Sequence, residues 1–392
     1  MDGPPIEDGG VASSEGRIVD VAKFDDVRAR NSGDVIDLGE RALLPGLINA
    51  HCHLDYTCLR GKIPRQKFFA SWIRQINAAK EKLSLPDYVA SIDEGLAEAK
   101  RFGTTTMISL EAMPEAVSQI RAPIRVAWFA ELIDVRNRQR ADEMMEGARR
   151  SEPGPGGWGL APHAPYSASA ALFGRCAEIA RAKNMLLTTH VAESHEEMLM
   201  FRDACGPLFE LMKETRRDMK DCGSTTPLAW FVDAIALTKD VHWIIAHLND
   251  LTEDDFALLR KMPDRFHLVH CPRSHAYFGH LPFRYQRLRD MGFDVCLGTD
   301  SLASNEDLSL FAEMREFQNR YPGVSAQEIL AMVTRNPARS LGRIASLGTI
   351  QPHAFADLIA IPFSGGRKNL FEEVIAFKGP PWVMIRGEAP KI

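Results

Sequence analysis

Eight short apolar runs, separated by longer amphipathic segments and each ending in polar or reactive residues, constrain this chain more than any other feature. They are 44–53 (LPGLINAHCH), 104–110 (TTTMISL), 125–132 (RVAWFAEL), 158–165 (WGLAPHAP), 186–193 (LLTTHVAE), 242–249 (HWIIAHLN), 266–274 (FHLVHCPRS) and 293–301 (FDVCLGTDS). Strands covered on both faces read as such runs, and their alternation with helical patterns predicts a parallel α/β sheet. Eight in series predict a (β/α)8 or TIM barrel, whose active site lies where the strands end and the βα loops begin. Segments 86–101, 168–183 and 306–320 carry the helical pattern of an outer ring, the first opening with Pro and Asp. With 392 residues, 45% hydrophobic and 25% charged, the chain can bury one large core and a smaller companion.

The two ends have a different texture. Residues 6–43 hold short β-like segments broken by glycine, and 348–386 do the same, so the termini are expected to pair as one small β domain. The expected division is 1–43 and 343–392 for that domain and 44–342 for the barrel. The stretch 194–238, with its turn-like CGSTTP, is longer than one barrel helix needs and is expected to hold an extra helix plus a loop at the active site.

A formal charge of −5 and a pI near 6.2 supply no positive field for nucleic acid or an anionic membrane; a small, roughly neutral substrate fits better. Seven cysteines, an odd number without a CxxC pair, argue against a disulfide framework or zinc ribbon and for a reducing cytoplasm. No stretch approaches the ~20 apolar residues of a membrane span, and MDGPPIEDGG lacks a basic-then-apolar signal pattern.

The reactive residues gather at the run ends. His51 and His53, two apart on a strand, point to one side of it and can share one ion, although two buried histidines with local hydrogen bonds would look the same. His190 ends the fifth run and Asp300 the eighth, giving three imidazoles and a carboxylate with a position left for water; alone, Asp300 would also suit a helix N-cap. One divalent cation is implied, and this donor set suits zinc, iron or manganese. Glu193, three residues beyond His190, falls on the opposite face unless the strand has already bent; in such a bend it could shuttle a proton, or merely anchor the loop. His247, ending the sixth run, could bond an attacking hydroxide or be a satisfied core histidine.

PGLINAHCHLD, APHAPYS, THVAESHEE, CLGTDSLASN and TRNPARSLG resemble the amidohydrolase superfamily over about residues 40–390, and in particular its aminohydrolases of adenine-bearing nucleosides. The resemblance implies a barrel with a small β-sandwich made from both termini, one zinc or iron on His51, His53, His190 and Asp300, acid/base work by Glu193 and His247, and often a homodimer. The absence of a lysine at 161–163 (Ala-Pro-His) sets it apart from relatives with two bridged metals. His163 would then bind a sugar or ring edge and Trp72 would stack on substrate; the alternatives are a histidine bonded to backbone and a core aromatic. Arg60, Arg65 and Arg74 offer nearby charge. SLASNEDLSLFAEMR and AESHEE are similar to deaminases of aminodeoxyfutalosine, S-adenosylhomocysteine and methylthioadenosine. CPRSHAYFGH departs from them, with His275 where relatives usually carry Asn and His280 beside it, and AHLND replaces a more aromatic motif. Guanine or pterin deamination, triazine hydrolysis, cyclic-amide opening and a catalytically silent binding barrel are the other readings.

Overall fold

A computed structural model describes residues 4–135, 138–150, 158–238, 240–262, 266–366 and 369–390. The first strands belong to the end segments: β1 (Gly9–Ser14) and β2 (Arg17–Lys23) form an antiparallel hairpin, and β3 (Arg41–Pro45) follows. Eight of the next nine correspond to the apolar runs: β4 (Leu47–His53), β5 (Thr104–Glu111), β6 (Arg125–Leu132), β7 (Trp158–Pro162), β8 (Leu187–Val191), β9 (Trp243–His247), β10 (Phe266–His270) and β11 (Val295–Leu297). A two-residue strand, β12 (Asp300–Ser301), completes them, and β13 (Leu358–Pro362) and β14 (Trp382–Met384) close the chain.

Strands β4 to β12 form one parallel sheet in the order β11-β10-β9-β8-β7-β6-β5-β4-β12. Its edge strands β11 and β12 are separated in sequence only by Gly298 and Thr299, so the sheet curls until its two edges are joined by two residues. Backbone bonds span the join, from Gly298 N–H to the His270 carbonyl (3.0 Å) and from Thr299 N–H to the His51 carbonyl (3.1 Å). Alternation along the strands divides the apolar side chains into two cores. Ile108, Leu110, Ala127, Phe129, Ile244 and Val269 pack on the inside of the curl, whereas Met107, Val126, Trp128, Ile245 and Leu268 face the helices.

The helices begin where their caps dictate. Ser84 closes a capping box with Asp87 ahead of Leu85–Arg101, and the Ser169 and Ser309 hydroxyls cap Ala170–Lys183 and Leu310–Arg320, so the last starts four residues after the expected 306. The stretch 194–238 holds three helices, His195–Asp203, Pro207–Glu214 and Pro227–Ala234, rather than one extra helix. No helix among the described residues is long and apolar enough to cross a membrane.

Several strand bounds are corrected. Leu44 and Pro45 belong to β3, not to the first strand of the parallel sheet; the chain breaks direction at Gly46, whose N–H bonds the Asp357 carbonyl (2.8 Å). The fourth, sixth and seventh runs leave the sheet at Pro162, His247 and His270, the last because Pro272 opens a helix, Pro272–Phe278. The eighth run is interrupted at Gly298–Thr299 where the sheet changes partner.

The termini do pair. β3 lies antiparallel on β13, from Pro45 opposite Leu358 to Arg41 opposite Pro362, and β14 adds to the other side of β13. The β1–β2 hairpin forms a separate two-stranded sheet tied to the C-terminal segment by Ile18 N–H to the Ala354 carbonyl and His353 N–H to the Ile18 carbonyl, both 2.8 Å. Ile18, Ala354, Ala356 and Leu358 bury a small core between them. Residues 1–3, 367–368 and 391–392 of the expected small domain lie outside the described residues.

Candidate active site

The site stands where the parallel strands end, and its first element is an irregularity. Between Asn49 and Cys52 the β4–β5 register shifts: β4 advances three residues while β5 advances two, from Met107 to Ser109. The extra residue inverts the facing of the rest of the strand. Ile48 and Ala50 pack in the inner core, and yet His51 and His53 also turn inward to meet His190 and His247. The Asn49 side chain stabilises the bulge, donating to Thr299 Oγ1 (2.7 Å) and accepting from the Thr299 and His51 N–H groups (3.2 and 3.3 Å).

Three imidazoles converge. His53 Nε2 lies 3.3 Å from His190 Nε2, and ligand atoms of His51, His53 and His190 all fall within 4.8 Å of one another. His190 Nδ1 donates to the His163 carbonyl (2.8 Å), which leaves its Nε2 as the lone pair. Burial, reinforced by the neighbouring imidazoles, holds His51, His53, His163 and His247 well below the usual histidine range. They are therefore neutral, the form that ligates. Neither His51 nitrogen has a hydrogen-bond partner although the residue is fully buried. Unpartnered neutral nitrogens facing one another are costly except around a cation, so these residues fit a divalent ion.

Asp300 Oδ1 lies 3.9 Å from both His51 Nε2 and His53 Nε2. Its other oxygen accepts from the Ser274 hydroxyl (2.6 Å), which offsets part of the upward shift that burial imposes on the carboxyl. A second group of possible ligand atoms joins Asp300 to Glu193 and His247, again within 4.8 Å. Glu193 follows a sharp bend: β8 ends at Val191 and Ala192 adopts φ +51°, bringing round a side chain that alternation would turn away. Glu197 holds the bend by accepting the Glu193 N–H (2.8 Å), and Asn249 Nδ2 donates to the Glu193 carbonyl (2.9 Å). Burial, then the charges of Asp300 and Glu197, push the Glu193 carboxyl well above its ordinary range, favouring its protonated form. Its Oε1 is 3.8 Å from His247 Nε2. His247 and Asp300 themselves have left-handed backbones (φ +80° and +58°), a strain on the order of 1–3 kcal/mol each that recurs at functional sites.

Not every expected residue joins this cluster. His163 flanks it, its ring 4.7 Å from that of His190 and its Nδ1 bonded to Ser167 Oγ (2.6 Å). Trp72 sits in an aromatic group with Phe69 and Phe278, reached from His163 through Tyr166 and Phe69. Arg60 pairs with Glu98, Arg74 with Glu214, and Arg65 lies over the Tyr277 ring, so all three are engaged in local structure. His275 Nε2 bonds the Leu281 carbonyl (2.8 Å), and His280 stacks on Phe278. Sequence reasoning missed Glu131, Glu197 and Ser274; of these only Glu131, a carboxylate one residue from the end of the apolar run RVAWFAEL, whose strand is buried past Arg125, left a signal.

Residues 42–385 match the family model described as the amidohydrolase family. A 5-methylthioadenosine/S-adenosylhomocysteine deaminase of Pyrococcus furiosus is 28% identical over 346 residues, 83% of this chain and 76% of that protein. Among solved structures, an adenosine deaminase from Xanthomonas campestris with bound zinc superposes with a TM-score of 0.83 at 25% identity, covering 98% of this chain and 88% of the other. The Helicobacter pylori aminofutalosine deaminase in complex with methylthio-coformycin shares the fold, with a TM-score of 0.86 at 20% identity over 98% and 95% of the two chains.

Proposed function

Because this chain belongs to the amidohydrolase family, we propose that it is a metal-dependent aminohydrolase that deaminates an adenine-bearing nucleoside and releases ammonia. The candidate substrates are S-adenosylhomocysteine, methylthioadenosine and aminodeoxyfutalosine. The observation that carries the reading is the buried Glu193–His247 pair, 3.8 Å apart, set against three converging imidazoles and Asp300. The deaminase names of the relatives support it. We read the curled sheet as a (β/α)8 barrel over about 44–342, with Leu44 and Pro45 reassigned to a small β-sandwich drawn from 1–43 and 343–392.

His51, His53, His190 and Asp300 would hold the cation, with zinc favoured by the zinc-bound relative and iron or manganese also compatible. A cation held there would supply hydroxide at neutral pH, by lowering the pKa of water from ~16 towards ~7. Asp300 is placed to take up the proton released. Glu193, held protonated by burial, would donate to a ring nitrogen as the amine-bearing carbon is attacked; the proton taken up by Asp300 would then pass to the amine, which departs as ammonia, while the added hydroxyl returns its proton to Glu193 as the oxo product forms. His247 presents a neutral nitrogen that steadies the oxygen being added. His163 and the Trp72 aromatic group line the side from which a heterocycle would enter. Seven unpaired thiols are consistent with a reducing cytoplasm.

An ammonia-release panel of S-adenosylhomocysteine, methylthioadenosine, aminodeoxyfutalosine, adenosine, guanine and cytosine tests the reading. Turnover of an adenine nucleoside is expected, and turnover of guanine or cytosine alone would replace it. Glu193→Gln should keep its metal yet lose about 10²–10⁴-fold in kcat. Near-normal turnover by that variant would assign the proton transfer elsewhere.

A further inference from the structure

We propose that Glu131 is the acceptor for the His53 Nδ1–H, and so acts as a positioning residue that sets the ring orientation and the affinity of the metal site. The proposal rests on reading His53 as a metal ligand. His53 Nε2 faces His190 Nε2 at 3.3 Å and Asp300 Oδ1 at 3.9 Å, so Nε2 is the nitrogen turned to the centre of the cluster. A neutral imidazole that ligates through Nε2 carries its proton on Nδ1, and that N–H needs an acceptor if it is buried. The His53 side chain is only 6% exposed, and Nδ1 has no hydrogen-bond partner. Glu131 Oε1 lies 3.5 Å away, is equally buried and is equally unpartnered. A donor and an acceptor that each lack a partner therefore face one another across a gap that a small ring rotation brings within hydrogen-bond range.

Neighbouring groups narrow the assignment. Two other buried carboxylates, Asp55 and Glu111, each keep one oxygen unpartnered while the other accepts the Ala112 N–H (2.9 Å) or the Ser109 hydroxyl (2.6 Å), but the carboxylates that pair with His53 are Glu131, at Nδ1 (3.5 Å), and Asp300, at Nε2 (3.9 Å). The His53 ring is stacked parallel with Tyr56 (13° between planes) and His190 (16°), which sets its plane without deciding which nitrogen carries the proton. Glu131 makes that choice. Its backbone is firmly placed, opposite Ala161 in the ladder between β6 and β7, so the carboxylate comes from a rigid element. The same oxygen is 3.9 Å from His163 Nε2, which puts a ligand-orienting group and a residue on the substrate side around one carboxylate.

The test compares zinc affinity, measured by competition with a chelating indicator, for the unaltered protein, Glu131→Gln and Glu131→Ala. Removing such a partner typically costs about 10–100-fold in metal affinity; Glu131→Ala is expected to show that loss, and Glu131→Gln, which keeps a weaker neutral acceptor, a smaller one. If Glu131→Ala binds zinc within about twofold of the parent, the proposal is overturned while the ligand assignment stands. If the parent itself takes up no zinc, the ligand assignment fails instead. Nitrogen-15 NMR of the zinc-loaded parent, with the His53 signals identified from a His53→Gln variant, needs no folded Glu131 variant: a protonated, slowly exchanging Nδ1–H on His53 is expected, and an unprotonated Nδ1 would overturn the proposal.

Discussion

Gly298 has no room for a side chain: a Cβ built there would lie 2.7 Å from His51 Cβ, 2.8 Å from its carbonyl oxygen and 2.9 Å from its nitrogen. Two of those atoms are backbone, so Gly298→Ala should push the His51 strand aside. The expected result is a destabilisation of about 1–3 kcal/mol, as for overpacking in general, with weakened zinc binding. Denaturant unfolding and zinc content of the purified variant measure both, and parental values for the two would show that the strand yields freely. At this scale the sequence is legible where chemistry and position coincide, as for His51, His53, His190 and Asp300 at the run ends. It is opaque where the backbone departs from strict alternation. The spacing of His51 and His53 puts them on one face, but the bulge at Asn49 decides which face that is, and nothing in INAHCH announces it. The left-handed Ala192 that swings Glu193 round is as silent. Glu131 stands out only as a carboxylate within an apolar run, and its role is hidden for another reason, since its neighbours His53 and His163 are brought to it only by the assembled sheet.

The helix Phe69–Lys80, which carries Trp72, begins after Phe68, a residue with no side-chain cap to offer. The cap comes from elsewhere in the chain: Glu196 accepts the N–H groups of Phe69 and Ala70 at 2.7 and 3.0 Å. A carboxylate at a helix N-terminus satisfies otherwise unpaired donors and meets the positive end of the helix dipole. Because Glu196 stands three residues after Glu193, it also fastens the helix that carries Trp72 to the segment that bears Glu193. Glu196→Ala is expected to cost about 1–2 kcal/mol and to speed amide exchange in the first turns of that helix above the rest of the molecule. The loosened helix should raise KM more than it lowers kcat; unchanged exchange over 69–76 would mean that packing alone seats the helix. Such an interaction across 127 residues leaves no trace in a local pattern. Local signals serve well where the cap is adjacent, as Ser84 is to Leu85–Arg101, and poorly at strand ends, where WGLAPHAP reads as eight strand residues although the sheet releases it at Pro162.

Across the whole molecule, the alternation of apolar runs and amphipathic segments is enough to foresee a parallel α/β sheet, because burial on both faces leaves no other pattern. The pairing of β3 with β13 is foreseen only as a likeness of texture between the two ends, since register depends on contacts more than 300 residues apart in sequence. The buried imidazoles give the molecule a global dependence on its cation. An ion that binds only the folded state stabilises it by RT ln(1 + [L]/Kd), about 2.7 kcal/mol at one hundred times Kd. Dialysis against a strong chelator should therefore lower the thermal midpoint, and zinc should restore it where magnesium does not; a midpoint indifferent to chelation would count against a native metal centre. The join at Gly298–Thr299 bears on how the protein is made. Asn49 waits for Thr299, 250 residues later, which at roughly 5–20 residues per second of synthesis is on the order of 12–50 s. Through that interval β4 leaves the ribosome with one edge unsatisfied and His51 and His53 without Asp300 beside them, so the nascent chain carries an open sheet edge until about three-quarters of it has been made.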